Sequence, residues 1–215
     1  MKKALSGVLA ALVLLSSLPT TMTASALPDN SGAESRNVAH TLYVSTAGND
    51  NTGDGTQDNP FATIEKAKEK GIHTVIDTSG QPFTKQEPFF SKFQKLMEYT
   101  DLILLDLKQI DEEQHQILTG CTGKNILELA QYLSEIHKPV WIRHVLVPGG
   151  SDKDEYLDRL NAFIQTLKNV ERVEVLPYHT LGEYKWKELG MEYPLVGVEP
   201  PTKERIENAK RRLGC

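Results

Sequence analysis

The chain has 215 residues, 39% of them hydrophobic, enough for one domain with a sizeable core. Its net charge of -5 is mild and its 24 basic residues form no block, which excludes a nucleic-acid-binding footprint. Two cysteines, Cys121 and Cys215, make neither a disulfide framework nor a metal-ligand cluster and read as unrelated thiols.

In chain order, the first feature is a leader. Lys2 and Lys3 give a positive start, residues 4–18 are apolar but short for a bilayer span, and Ala24-Ser25-Ala26 offers small residues at cleavage-site spacing. Residues 1–26 are expected to be a signal peptide directing export, with no membrane segment left after cleavage. Residues 27–40 are expected to be a disordered leader.

A short strand is expected over 41–45, followed by the loop AGNDNTGDGTQDNPFATI. Asp50, Thr52, Asp54, Gly55 and Asp58 fall at five positions of a calcium-binding loop, but Phe61 occupies the place of the bidentate carboxylate. The segment therefore reads as an Asn/Asp/Gly-rich turn. As wording, YVSTAGNDNTGDGTQDNPFATIEKA resembles the opening cap of secreted right-handed β-helix proteins of the pectate lyase kind. That resemblance covers residues 41–67 and implies a secreted, polysaccharide-associated protein. The short-period strand repeat of such a solenoid does not follow.

From residue 62 the pattern changes. Residues 62–70 can form a helix with Ile64 and Ala67 on one face, Gly71 stops it, and IHTVID follows as a strand. Then come an amphipathic helix over 89–99, the unbroken apolar strand LILLDLK, and the helical patterns DEEQHQIL and NILELAQYLSEI. The strand PVWIRHVLV precedes the helix DKDEYLDRLNAFIQTL, for which Ser151 and Asp154 have capping-box spacing. The strand VERVEVLPYH and a helix over 203–213 finish the chain. Four strands separated by helices imply an α/β fold with a parallel sheet of about four strands and flanking helices.

Polar residues interrupt these strands near their carboxyl ends: Asp77, Asp106 with Lys108, Arg143, and His179. Ligands in parallel α/β folds bind at that end of the sheet. A charge buried there without a partner would be costly, so these groups should meet one another or a ligand. Asp106 and Lys108 share one face of a period-two strand and can grip the ammonium and carboxylate of a zwitterion. Arg143 and His179 can take further oxygens or nitrogens.

Taken in order, HTVIDTSG, DLILLDLKQIDEEQH, TGCTGKNILELAQYLS, KPVWIRHVLVPGGSD, NVERVEVLPYHTLGEYKW and GVEPPTKERIENAK closely resemble the pyruvate formate-lyase activating enzymes, a family of radical S-adenosylmethionine enzymes. The resemblance covers residues 66–213. It implies a partial (β/α) barrel with S-adenosylmethionine and a [4Fe–4S] cluster at the strand ends, and cytoplasmic residence in conflict with the leader. It implies that Asp106, Leu107, Lys108, Arg143 and His179 contact S-adenosylmethionine. Asp77, Thr78 and Asp106, with the Leu104 carbonyl, would form a monovalent-cation site. The implied partner is a glycyl-radical enzyme, pyruvate formate-lyase, from which a 5′-deoxyadenosyl radical takes a glycine hydrogen.

The family's three-cysteine loop, its Gly-Gly-Glu segment and its first two strands have no counterpart in these 215 residues. The cluster ligands are thus absent, and no catalytic residue is assigned. Residues 68–215 are expected to be a truncated activating-enzyme domain, catalytically inactive as written, with the seam between the two resemblances inside the helix at 62–70.

Overall fold

A computed structural model of the chain describes residues 22–24, 42–71 and 73–215. The expected signal peptide and the leader at 27–40 lie outside the described residues, except for Met22–Ala24. Those three residues form β1 and pair antiparallel with β2 (Leu42–Val44), Met22 opposite Val44. The described residues divide into two compact units, one of residues 76–92 and 102–215, the other of residues 22–24, 42–71, 73–75 and 93–101.

The smaller unit is built around the loop that follows β2. Phe61, fully buried, bridges to Val44, and its amide donates to the Tyr43 carbonyl at 3.0 Å. The Asp50 carboxylate accepts the amides of Ala62 (2.7 Å) and Thr63 (3.0 Å) and the Thr63 hydroxyl (2.7 Å). Thr63 in turn caps α1 (Ile64–Lys68) through Lys66 N–H at 3.2 Å. Asp54 accepts from Thr56 N–H at 2.9 Å. The acidic side chains of this loop therefore close a turn and start a helix. Further on, Asp101 takes Lys68 at 2.7 Å and the Thr74 amide at 2.8 Å. Burial opposes the charge of Asp101, but these partners prevail and hold its pKa at about 2.

The larger unit is an α/β layer structure. Its parallel sheet has the strand order β3 (Val75–Thr78), β4 (Leu102–Asp106), β5 (Val140–Leu146), β6 (Val170–Pro177). Parallel pairing sets Leu105 beside Ile142 and Asp106 beside Arg143, then Arg143 beside Glu174. The sequence expectation of four parallel strands with flanking helices holds.

Strand alternation divides the residues between two faces. Ile103, Leu105 and Leu107 of β4 and its extension, and Val140, Ile142, His144 and Leu146 of β5, are all buried. Helix α4 (Lys124–Glu135) adds Ile126, Leu129 and Leu133 to the core, and α5 (Asp154–Ile164) adds Leu157, Leu160 and Ile164. Gly80, at φ +71° after β3, marks how close these layers come. A Cβ there would stand 3.0 Å from Leu129 and 3.2 Å from Leu105. The other face carries Leu104, Asp106, Trp141, Arg143 and Val145, all half-buried.

Helix α2 (Phe89–Glu98) begins beside an aromatic group in which Phe90 meets Tyr132 edge-on at 5.2 Å. Helix α3 (Glu112–Thr119) is capped by Asp111 through Gln114 N–H at 3.1 Å and closed by Gly120 in the left-handed region. The capping box expected from Ser151 and Asp154 does not form. Lys153 occupies the cap of α5, while the fully buried Ser151 hydroxyl accepts from Val147 N–H (2.9 Å) and donates to the Val145 carbonyl (2.6 Å). Ser151 fastens the turn after β5 instead.

After β6 come a 3-10 turn (Thr180–Gly182), α6 (Glu183–Glu188) and α7 (Lys203–Leu213). Helix α7 packs on α5 and β6 with Ala209 and Leu213 buried. Arg205 reaches Asp154 at 2.7 Å, and Arg212 reaches Asp154 at 2.5 Å and Asp158 at 2.6 Å.

Candidate functional site

Four of the polar residues singled out from the strands meet on one face of the sheet at its carboxyl end. Arg143 is the hub. Its Nε donates to Asp106 Oδ1 at 2.9 Å, its Nη1 donates to Asp77 Oδ2 at 2.8 Å, and its Nη2 reaches both carboxylates. Lys108 Nζ stands 3.8 Å from Asp106 Oδ2. Burial works against the Arg143 charge, but Asp77 and Asp106 outweigh it and raise its pKa above the ordinary value. The guanidinium stays charged, and the cluster holds two cations and two anions.

The members differ in accessibility. The Asp106 and Arg143 side chains are each 16% exposed, whereas Asp77 is 61% exposed. Asp77 is therefore the arm that an incoming anion can displace from Arg143 at least cost. An ammonium group would find Asp77 and Asp106, and a carboxylate would find Arg143 and Lys108. The donor set fits the amino-acid moiety of S-adenosylmethionine.

The remaining expected residues stand differently. Leu107 turns its buried side chain to the helices and offers the site backbone only: its amide donates to the Arg143 carbonyl at 2.9 Å. Thr78 accepts the Gly80 amide at 3.0 Å, while Asp77 and Asp106, its expected companions in a cation site, both hold Arg143. His179 precedes the 3-10 turn with an exposed side chain that makes no capping bond, and no described hydrogen bond or ion pair joins it to the cluster.

Sequence reasoning missed several residues of the same strands. On the face of Arg143, Trp141 lies under the Arg172 guanidinium at 4.8 Å, and Arg172 pairs with Glu174 at 2.9 Å. On the opposite face, His144 is 2% exposed and its Nδ1 lies 2.8 Å from the Leu107 carbonyl. Period-two parity was the available signal, since Trp141 shares the side of Arg143, and Arg172 and Glu174 alternate in VERVEV.

The cysteines do not fit an iron–sulfur cluster. Cys121 is half-buried in the turn between α3 and α4, and Cys215 follows α7 beside Val170–Val173, the first half of β6. Burial raises the Cys215 thiol pKa. Among the described residues no group of three or more His, Cys, Asp or Glu side chains is arranged to hold a metal ion.

Comparison with known proteins shows the family. The radical SAM superfamily pattern matches residues 38–160, more than half of the chain. The chain belongs to the radical SAM superfamily. Among its relatives, the pyruvate formate-lyase-activating enzyme of Streptococcus mutans is 56% identical over 153 residues, covering 71% of this chain and 58% of the relative. That of Listeria monocytogenes is 51% identical over 153 residues, covering 71% of this chain and 61% of the relative. The chain thus spans about three-fifths of the length of these curated relatives. A solved domain of a pyruvate-formate lyase-activating enzyme from Bacteroides vulgatus superposes with a TM-score of 0.56 at 21% identity, covering 70% of this chain and 81% of that domain. It supports the fold. The radical SAM match runs through residues 41–67, and the resemblance of that segment to a β-helix cap finds no support. Among the described residues no helix is long and apolar enough to cross a membrane.

Proposed function

We propose that residues 68–215 are a domain of a glycyl-radical-enzyme activating enzyme that binds S-adenosylmethionine through its amino-acid moiety and, as these 215 residues stand, does not carry out its reductive cleavage. The observation that carries the binding half is the Asp77–Arg143–Asp106 cluster with Lys108 beside it. When bound, S-adenosylmethionine would supply a sulfonium-linked 5′-deoxyadenosyl group. The chain's own residues hold the other end of that ligand. Arg143 and Lys108 take its carboxylate, Asp106 takes its ammonium, and Asp77 swings out as the carboxylate enters.

The cleavage half rests on the donor set. Two cysteines on separate elements cannot replace three closely spaced thiolates, so no electron-transfer step is assigned to this chain. The partner class is a glycyl-radical enzyme such as pyruvate formate-lyase, supported by the names of relatives at 50–56% identity. Residues 1–26 are read as an export leader, which cell fractionation with a C-terminal tag would test.

Isothermal titration of the full chain with S-adenosylmethionine tests the binding half. The expected result is weak binding, with a Kd above about 100 μM, an affinity of under roughly 6 kcal/mol. Asp106→Ala and Arg143→Ala should abolish it. Absence of heat in the wild type, or binding indifferent to both substitutions, overturns the assignment. Anaerobic reconstitution with iron and sulfide should give no cluster, and a stoichiometric thiolate-to-iron charge-transfer band would contradict the cleavage half.

A further inference from the structure

We propose that His144 is a positioning residue for the ligand site: through the Leu107 carbonyl it fixes the backbone between Asp106 and Lys108, and S-adenosylmethionine binding depends on that bond. The inference rests on the binding half of the reading above and adds a residue that does not itself touch the ligand.

Leu107 is the residue that sets Asp106 and Lys108 on one face. Its own side chain is buried on the helix side, so its two neighbours point the other way. Two bonds hold it to two consecutive residues of β5. Its amide donates to the Arg143 carbonyl at 2.9 Å, and its carbonyl lies 2.8 Å from His144 Nδ1. The first bond orients the peptide plane between Asp106 and Leu107. The second orients the plane between Leu107 and Lys108. Regular β4 ends at Asp106, so the His144 ring reaches past the end of the strand to hold the carbonyl that precedes Lys108. The Lys108 ammonium thereby stays 3.8 Å from Asp106.

The protonation state follows from the contact. A carbonyl only accepts, so Nδ1 carries the hydrogen. Burial lowers the pKa of the ring, against the backbone groups of Leu107 and Ser151, and keeps it neutral. Among the described residues Nε2 is buried with no hydrogen bond of its own, and the Ser151 backbone stands near enough to the ring to favour its charged form without bonding it. An unsatisfied buried polar atom is destabilising, and an aliphatic residue like Ile142 or Leu146, which share its face, would avoid that cost. Core packing therefore does not account for histidine at this position, whereas the carbonyl does. Gln109 reinforces the same junction one step on, donating to the Gly150 carbonyl at 2.8 Å and accepting the Asp111 amide at 3.0 Å.

Three variants of the full chain separate positioning from packing. His144→Asn keeps a donor near the Nδ1 place in a smaller side chain. His144→Gln moves the donor toward the Nε2 place, and His144→Leu removes it. Equilibrium dialysis with labelled S-adenosylmethionine should show affinity lowered about tenfold in the Leu and Gln variants, the loss expected for one buried hydrogen bond. The Asn variant should bind within about threefold of wild type although its Tm is lower, because the smaller side chain leaves a cavity. If all variants lose Tm while those that fold bind like wild type, His144 is only a core residue and the proposal falls. If wild type itself does not bind, the binding reading fails, and NMR then decides about His144 independently. The Leu107 carbonyl and Lys108 side-chain carbon shifts should match wild type in Asn and move in Gln. Shifts unchanged in both variants, or moved equally, overturn the positioning role.

Discussion

Replacing Arg143 with Met removes the hub of the strand-end cluster while keeping most of its volume. What is left is Asp106, 16% exposed, with Lys108 at 3.8 Å as its remaining counter-charge among the described residues. Removing one partner of a fully buried pair costs about 3–5 kcal/mol, and losing an exposed arm costs about 0–1 kcal/mol. The Asp77 arm is of the second kind. The Asp106 arm approaches the first but keeps some water and Lys108, so the net expectation is a loss of about 2 kcal/mol. For a chain of this size that lowers Tm by about 4–8 °C. Urea unfolding monitored by Trp fluorescence and by circular dichroism measures it. The double variant Arg143→Met/Asp106→Leu should recover about 1 kcal/mol, because it removes the stranded carboxylate. A single-variant loss below about 0.5 kcal/mol, or a double variant carrying the sum of both single losses, would show that the cluster is solvated and that its charges are not coupled.

Asp50→Ala removes the acceptor of the Ala62 and Thr63 amides, so hydrogen exchange at these two amides should accelerate while β5 amides stay protected. Leu157→Ala, at a fully buried position of α5, should cost about 2–5 kcal/mol in urea unfolding, and a smaller loss would mean that the helix layer collapses into the gap. The lowered pKa of His144 gives a pH dependence with a definite sign. Folded His144 stays neutral while the unfolded chain protonates, so stability is full above pH about 6.5 and declines as pH falls toward the lowered folded value. Thermal melts at pH 7.5 and 5.5 should separate more for wild type than for His144→Asn. Asp101, held at about 2 in the fold, contributes stability that is present above the ordinary Asp value of 3.8 and is lost as pH falls through about 2. An Asp101→Asn chain should show a flatter melt profile between those limits.

Much of this architecture is legible in the chain because apolar alternation and helix periodicity agree with it. LILLDLK, PVWIRHVLV and VERVEVLPYH all became strands, trimmed at their ends where ladder pairing stops. Asp77, Asp106, Lys108 and Arg143 could be brought together from their places near the carboxyl ends of the strands, with parity adding that Asp106 and Lys108 share a face. His179 could not be judged the same way, because it is the last extended residue before a 3-10 turn, one step beyond the Tyr178 amide that still bonds the Leu146 carbonyl, and no described contact ties its side chain to the cluster. His144 was legible in principle, as a polar residue at the parity of Ile142 and Leu146, but the carbonyl it meets lies just past the end of another strand. Ser151 had helix-cap spacing to Asp154, yet the turn after β5 uses its hydroxyl locally, a competition between two nearby sets of backbone donors that spacing does not resolve. The pairing of Met22–Ala24 with β2 was hidden for a different reason, since those residues also satisfy the pattern of a leader.

The ion-paired seam between α5 and α7 bears on how the chain is made. Helix α7 follows every strand of the sheet in chain order, and it supplies Ala209 and Leu213 where it packs on α5 and β6. A ribosome-bound chain that has extruded everything through Pro177 still lacks that cover, whatever its β4–β5 pairing. The carboxylates of Asp154 and Asp158 wait for Arg205 and Arg212, which are synthesised after every strand of the sheet. This half of the sheet is therefore completed only once α7 has been extruded. A stop codon placed shortly before residue 203 would leave a nascent species whose β6 is a ready partner for chaperones.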